Sequence, residues 1–349
     1  MAKKKILLLS DDLRMSSGVG TMSREFVLGT LKHYNWVQLG GAIKHPDEGK
    51  IIDMNESVRR DTGIEDAYLK IYPVSGYGTP EMVRQIIHME NGVDAILHYT
   101  DPRFWGWLYQ MEHELRRTTP IFYYNIWDDL PYPRWNEPFY ESCDLIMNIS
   151  KQTVNIVDNV CQIKPRTDWD NTYIPHGINE KNFYPIDSSH KEWGDLLQFR
   201  RTVTGGKDYK YVVFWNNRNI RRKLPGDVIM AYKQFCDMLP KEEAEKCALI
   251  MHTQPRDENG TDLPEVVKEL CPNYDVIFSH KKLDDRELRY LYNIADVGIN
   301  MASNEGFGLG TCEALMCGTP ISVTVTGGLQ DQVGFKYKDK HRLYYISNV

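Results

Sequence analysis

The chain has 349 residues, 42% hydrophobic and 26% charged, and its 42 Lys and Arg against 48 Asp and Glu give a formal net charge of -6. This length suits two domains of roughly 150 residues each, the composition is that of a folded globular protein rather than a disordered one, and the acidic balance disfavours a general nucleic-acid binder. The early apolar run at 6–9 is too short for a signal peptide or a membrane span, and the 7 cysteines carry no C-x-x-C spacing, so neither a disulfide framework nor a zinc site is expected and a reducing cytoplasm is the implied location.

In chain order, β-rich apolar runs at 6–10, 36–43, 68–74, 95–100, 120–126, 145–150 and 172–176 alternate with segments of helical period near 22–34 and 80–91. Residues 184–207 are polar and end in Gly205 and Gly206, which predicts a linker. A second series follows, with strands at 211–217, 248–253, 275–280, 297–301 and 321–325 and helices near 225–239 and 285–294. This rhythm predicts an α/β protein of two Rossmann-like, doubly wound parallel-sheet domains facing a central cleft: 1–183, a linker at 184–207, and 208–349. Ligands of such sheets lie outside the carboxyl ends of the strands, which is where the chemically informative residues fall.

The first of these is "SSGVGT" at 16–21, between a strand and a helix. Gly18 and Gly20 could bring backbone amides to a phosphate or simply form a tight turn; position 23 is Ser23, so the third glycine of a dinucleotide fingerprint is missing, and no acid ends the second strand. Residues 99–140 hold 13 of the chain's 40 aromatic residues, a density that serves either a core or a surface that stacks on sugar rings or bases. Tyr123 and Trp107 fit the core, whereas Trp127, Asp128 and Asp129 follow a strand and are expected to face the cleft, with Trp105 and Trp135 in the same aromatic-rich segment. His176 ends the strand at the domain junction, and no histidine pair has metal-ligand spacing on a helix.

In the second half, "NNRNIRRK" at 216–223 again follows a strand. Arg218 suits bidentate contact with a diphosphate and Lys223 a point-charge contact, while Arg221 and Arg222 are expected to be solvated. The stretch "SNEGFGLGTCEALMCGTP" at 303–320 then sets Glu305 and Glu313 eight positions apart among glycines and apolar residues. Gly306, Gly308 and Gly310 allow close backbone approach, and a helix over 309–317, closed by Gly318 and Pro320, would present free amides to an anion. On one helix the two acids would be about 12 Å apart, beyond the roughly 5–9.5 Å of a hydrolase pair, so they read as two separate anchors for hydroxyl groups.

Together these residues resemble the retaining glycosyltransferases of the GT-B fold, in particular family 4. The E-x7-E signature is similar to Glu305 through Glu313, the R-x4-K pattern to Arg218 and Lys223, and the junction motif to "PHGINEKNFYP" at 175–185. The stretch 288–303 resembles the segment that precedes the signature in that family. The resemblance is dense over 174–328 and extends to the first domain by architecture alone.

It implies a UDP- or GDP-sugar donor, with Glu313 on the ribose. Glu305 and the amides of Phe307 to Leu309 would hold the sugar and diphosphate, with Ser303, Gly306, Gly308, Gly18 and Gly20 in the same donor pocket. Arg218 and Lys223 would stabilise the leaving diphosphate, and neither metal nor cofactor would be required. Where many family members carry a histidine in the first domain, this sequence has "NIWDD", which leaves Asp128 in that place, and Trp127, Asp129 and His176 as acceptor contacts. The family also runs on after "TGGLQDQV" to a helix that crosses back to the first domain, whereas this sequence stops at 349.

The implied acceptor is a glycan or lipid-linked saccharide, with a hydroxylated base in nucleic acid as an alternative. A non-catalytic sugar-nucleotide binding module and a nicotinamide-dependent oxidoreductase are the readings from other classes, the latter opposed by the incomplete glycine fingerprint.

Overall fold

The computed structural model describes residues 2–342 apart from 43, 163, 164, 168, 334, 338 and 339. The chain divides into two compact units, Met1–His176 and Gly177–Val349.

The first unit is built on an eight-stranded sheet. Its strands are β1 (Lys4–Asp11), β2 (Tyr34–Ala42), β3 (Ile52–Asp53), β4 (Leu69–Ser75), β5 (Ala95–Tyr99), β6 (Ile121–Asn125), β7 (Leu145–Asn148) and β8 (Asn171–Tyr173), in the order β3-β4-β2-β1-β5-β6-β7-β8. Only the short β3 is antiparallel to its neighbour. Leu7, Leu8 and Leu9 are all buried, because β1 lies mid-sheet with both faces covered, and this produces the unbroken apolar run in the sequence. Helices Gly18–Thr30, Pro80–Met89 and Lys151–Val160 each begin at a hydroxyl side chain, Ser17, Thr79 and Ser150, that accepts a hydrogen bond from a first-turn amide. Ser17 thus starts the first helix at 18, four residues before the expected 22. The expected strand 172–176 ends at Tyr173, and residue 43, the expected end of the second strand, lies outside the described residues.

The second unit contains a five-stranded, wholly parallel sheet. Its strands are β9 (Tyr211–Asn216), β10 (Cys247–His252), β11 (Asp275–Ser279), β12 (Val297–Asn300) and β13 (Ile321–Val323), ordered β11-β10-β9-β12-β13. Alternation along the strands divides the core. Val212, Phe214, Ala248 and Ile250 pack on one face, and Val213, Trp215, Leu249 and Met251 on the other. The chain winds outward from β9 to β11 and then returns to place β12 on the opposite side of β9. The switch point is therefore the gap between β9 and β12, and the loops leaving their carboxyl ends flank the crevice where ligands of such sheets bind.

The expected linker at 184–207 is corrected by the structure. It carries helix Trp193–Val203, lies within the second unit and buries Leu196 in that unit's core. Glu192 fixes it there, accepting from Arg289 Nη2 at 2.7 Å, Tyr184 Oη at 2.9 Å and Tyr290 Oη at 3.0 Å. An apolar stripe of Trp193, Leu196, Phe199 and Val203 packs on the same core, and the polar residues between and before them give the segment its linker-like sequence. The unit boundary falls correspondingly earlier than 183, after His176. Of the C-terminal stretch after 333, strands Phe335–Tyr337 and Lys340–Arg342 pair antiparallel, and 343–349 lie outside the described residues.

Candidate active site

The loop after β12 turns sharply into helix Leu309–Met316, and Gly308 makes the turn with φ at +89°. A Cβ there would lie 2.5 Å from Leu329 Cδ2 and 2.8 Å from Thr311 Oγ1, so glycine is required twice over. Gly308 at the N-cap of this helix has no side chain to cap it, and no side-chain cap is made among the described residues. Its nearest hydroxyl, Thr311 Oγ1, is turned to Gly308 O at 2.8 Å and Gln332 Oε1 at 2.7 Å. Gln332 Nε2 in turn donates to Phe307 O at 2.6 Å and Gly308 O at 3.0 Å, fixing the carbonyls of the turn.

From the other side the loop rests on Gly327 and Gly328, backbone against backbone. The Gly328 amide donates to Glu305 O at 2.9 Å, and a Cβ would stand 1.8 Å from Glu305 O at Gly327 and 2.4 Å from Gly306 O at Gly328. This Gly-Gly pair was visible in the sequence, but its partner loop was not.

Glu305 lies on the loop and forms an ion pair with Lys223, which ends a short 3-10 turn after β9. Both side chains are largely buried, 7% exposed for the lysine and 12% for the glutamate. Asn300 Nδ2 approaches the same carboxylate oxygen at 3.4 Å. The two loops are also joined through their backbones, since Ser303 N donates to Arg222 O at 2.9 Å and Arg222 Nη1 to Asn304 O at 2.7 Å. Arg222 is exposed, as expected, and also ties the loops, because its carbonyl and guanidinium both meet the chain after β12. The switch point therefore collects Lys223, Glu305, Ser303 and the 306–309 turn.

Glu313 and Arg218 have partners of their own. Glu313, on the second turn of the helix, accepts from Tyr292 Oη at 2.6 Å, and Tyr292 Oη accepts from Asn216 Nδ2 at 2.7 Å. Burial pushes the Glu313 carboxyl up to about 7; the Tyr292 hydrogen bond opposes the rise and Asp285 adds to it. Arg218 forms a two-point ion pair with Asp257, Nε to Oδ2 at 2.9 Å and Nη2 to Oδ1 at 3.2 Å. Tyr292, Asn216 and Asp257 went unnoticed in the sequence, since ordinary polar residues signal a site only once the fold places them.

In the first unit, Gly20 sits in the turn that opens the first helix. Its amide donates to Ser17 Oγ at 3.0 Å, and a Cβ would meet Met15 O at 2.7 Å, so this glycine lets the helix pack against the preceding turn and its amide is already used. Gly18 is exposed at the helix start. Beside them Asp12, fully buried, accepts from Arg14 Nη2 at 2.8 Å and lies 2.9 Å from His45 Nε2, a cluster the sequence did not reveal.

After β6, Trp127 Nε1 donates to Asp129 O at 3.1 Å, and the Arg103 guanidinium sits 5.1 Å from the Trp127 ring centre. Asp128 O accepts from Gln152 Nε2 at 3.2 Å. His176 lies between Tyr124 Oη at 2.9 Å and Tyr99 Oη at 3.3 Å, and burial lowers its pKa to about 3, so the ring is neutral at pH 7. Tyr123 is core as expected, Trp107 is partly buried against the same core, Trp105 is fully buried and Trp135 is exposed. Among the described residues no group of three or more His, Cys, Asp or Glu is placed to hold a metal ion, and no helix is long and apolar enough to cross a membrane.

Comparison with known proteins agrees with this geometry. Residues 207–338, which contain the whole switch-point site, match the family described as "Glycosyl transferases group 1". An uncharacterized glycosyltransferase of Methanocaldococcus jannaschii is 25% identical over 55% of this chain and 45% of its own length. A D-inositol 3-phosphate glycosyltransferase of Stackebrandtia nassauensis is 29% identical over 55% of this chain and 41% of its own. The chain thus spans less than half the length of these relatives. Among solved structures, Anabaena HepE in complex with UDP-glucose superposes with a TM-score of 0.67 at 13% identity, over 95% of this chain and 83% of that one. Sucrose-phosphate synthase from Thermosynechococcus elongatus gives 0.67 at 17% identity, over 95% and 84%. The fold is GT-B, two α/β units with parallel sheets. The similarity to the glycosyl transferases group 1 family lies within the second unit, over residues 207–338, and the two relatives named above are glycosyltransferases.

Proposed function

We propose that this chain is a retaining glycosyltransferase that moves a sugar from a nucleoside-diphosphate sugar to a hydroxyl of a glycan or lipid-linked saccharide. The observation that carries the reading is the buried Lys223–Glu305 pair beside the uncapped, Gly308-led helix start at the β9/β12 switch point. A cation and a helix N-terminus suit a diphosphate, and a neighbouring carboxylate suits the hydroxyls of the sugar it carries. UDP is the preferred nucleotide, since the HepE structure contains UDP-glucose.

In this reading Lys223 and Arg218 stabilise charge on the departing diphosphate, the largest electrostatic demand of the reaction. Ser303, Gly306 and the amides of Phe307, Gly308 and Leu309 seat the diphosphate and sugar. Glu305 accepts from sugar hydroxyls and Glu313 from the ribose. The acceptor oxygen bonds to the anomeric carbon on the face from which the diphosphate oxygen leaves, and the acceptor's proton departs with the diphosphate. Trp127, Asp128, Asp129 and neutral His176 are the proposed acceptor contacts. No metal or cofactor has a role. A reducing, cytoplasmic setting is supported by seven unpaired cysteine thiols.

The test is incubation with a panel of nucleotide sugars and saccharide acceptors, following nucleoside diphosphate release, with thermal shifts against UDP, GDP and NADH. Release and stabilisation by a nucleoside diphosphate are expected. Stabilisation by NADH alone would overturn the reading, and nucleotide binding without turnover across the acceptor panel would replace it with a sugar-nucleotide binding module.

A further inference from the structure

We infer that Asp257 is a positioning residue that aims the Arg218 guanidinium at the donor diphosphate; this rests on the donor site proposed above. A guanidinium has two hydrogen-bonding edges, and a planar fork held at one edge presents the other in a fixed direction. Asp257 occupies the Nε/Nη2 edge of Arg218 with both carboxylate oxygens. Nη1 has no hydrogen-bond partner among the described residues. Exposure runs the same way: the aspartate side chain is 10% exposed and the arginine 60%, so the acid is embedded and the cation is displayed.

The acid is itself held rigidly. Asp257 Oδ1 accepts from the Asn259 amide at 2.9 Å, and Asp257 O from the Gly260 amide at 3.0 Å. The loop that carries it, after β10, is pinned to the Arg218 loop by fully buried Asn219. Asn219 Nδ2 donates to Thr261 O at 2.6 Å and to Gln254 O and Pro255 O at 3.3 Å, and Asn219 Oδ1 accepts from Thr261 N at 3.2 Å. At Gly260 a Cβ would stand 2.1 Å from Asn219 O, so the two loops touch backbone to backbone. A loop that served only to connect β10 to the next helix would need neither the buried asparagine nor the glycine contact. Both are accounted for if the relative position of Asp257 and Arg218 has to be fixed. A long surface arginine otherwise samples many rotamers, and freezing one beforehand lowers the entropy lost when an anion binds.

The test is calorimetric titration of UDP and UMP into the full chain, wild type and Asp257→Asn, Arg218→Ala and the double variant. Asp257→Asn keeps an oxygen for the Asn259 amide, and an unchanged melting curve checks the fold. The expected result is UDP binding weakened about tenfold in either single variant, UMP within about twofold of wild type, and a double variant no weaker than Arg218→Ala, as for two residues acting through one contact. Tighter UDP binding by Asp257→Asn would overturn the inference, since Asp257 and nearby Glu258 would then only compete for the guanidinium. Equal losses for UDP and UMP, or independent losses that multiply in the double variant, would overturn it too. If wild type binds neither UDP nor GDP, the donor site itself fails; if wild type binds UDP and Asp257→Asn binds equally well, only the role of Asp257 does.

Discussion

The helix after β1 and the helix after β12 begin alike in sequence, each with closely spaced glycines following a strand, and they differ in what closes the first turn. In the first unit Ser17 does so, accepting from the Gly20 amide and donating to Asp11 Oδ2 at 2.9 Å. The chain thus supplies its own cap, with an acid behind it, where an external anion would otherwise sit. In the second unit no side chain among the described residues caps the helix, Thr311 is turned to backbone and Gln332, and a buried lysine stands on the neighbouring loop. The same glycine pattern is a packing device in one unit and, in the proposed function, the frame of an anion site in the other. Capping separates the two cases, and glycine count does not.

The comparison breaks most visibly at Lys223. Lys223→Ala is expected to lower nucleoside diphosphate release about 10²- to 10³-fold, the range for removing one electrostatic contact to a developing charge. It also leaves Glu305 buried without its cation, at a cost of about 3–5 kcal/mol that thermal denaturation would register. Activity within twofold of wild type would remove the second unit's claim to a charged site. Exchanging glycines sharpens the contrast. Gly308→Ala and Gly20→Ala both force a Cβ into contacts below 3 Å, and each should destabilise by about 1–3 kcal/mol. Only the former should weaken UDP binding; equal weakening by both would show that the glycines do the same work in the two units.

What the sequence conveyed follows from the range of the forces involved. Most strands were legible because burial on both faces leaves unbroken apolar runs, as in Leu7 to Leu9, and because β9 and β10 alternate between two cores, whereas helices such as Asn55–Thr62, Lys151–Val160 and Leu263–Leu270 were not expected. Glu305, Glu313 and the 306–309 turn were legible because acids among glycines are costly unless a ligand or partner repays them. Partners from distant segments were not: Asp257 meets Arg218 across 39 positions and Tyr292 meets Glu313 across 21. Helix Trp193–Val203 was missed because its apolar stripe, Trp193, Leu196, Phe199 and Val203, is interrupted by charged and polar residues and preceded by a polar run. Which of the two uses left open for Gly20 holds turns on one hydroxyl, Ser17, that a cap or a loop would carry equally well.

A smaller effect distinguishes Glu313 by pH. Burial raises its pKa from 4.5 in a free side chain to about 7, so between those values the folded state binds more protons than the unfolded one. The stability Glu313 contributes is therefore greatest below about pH 4.5, falls as pH rises to 7 and is level above. Glu313→Gln should abolish that slope, gaining a few °C over wild type at pH 8 and nothing at pH 4, roughly the range expected for one shifted acid. Affinity for UDP should move the other way in wild type, rising about threefold to tenfold between pH 6 and pH 8 as the carboxylate becomes able to accept from two ribose hydroxyls. A pH-independent affinity in wild type would detach Glu313 from the nucleotide.

The smallest expected change lies in the capped helix. Ser17→Ala removes one side-chain cap, worth about 0.5–2 kcal/mol, which for a unit of this size lowers the melting temperature by about 2–4 °C per kcal/mol. It also takes from Asp11 the hydrogen bond that offsets its burial, so that carboxyl should titrate at a still higher pH than the already raised value it has beside Ser17. UDP affinity should not change, because the amides that Ser17 satisfies are used within the first unit. If Ser17→Ala instead strengthened UDP binding, the freed helix start would be competing for the diphosphate, and the division of labour drawn from capping would have to be reversed.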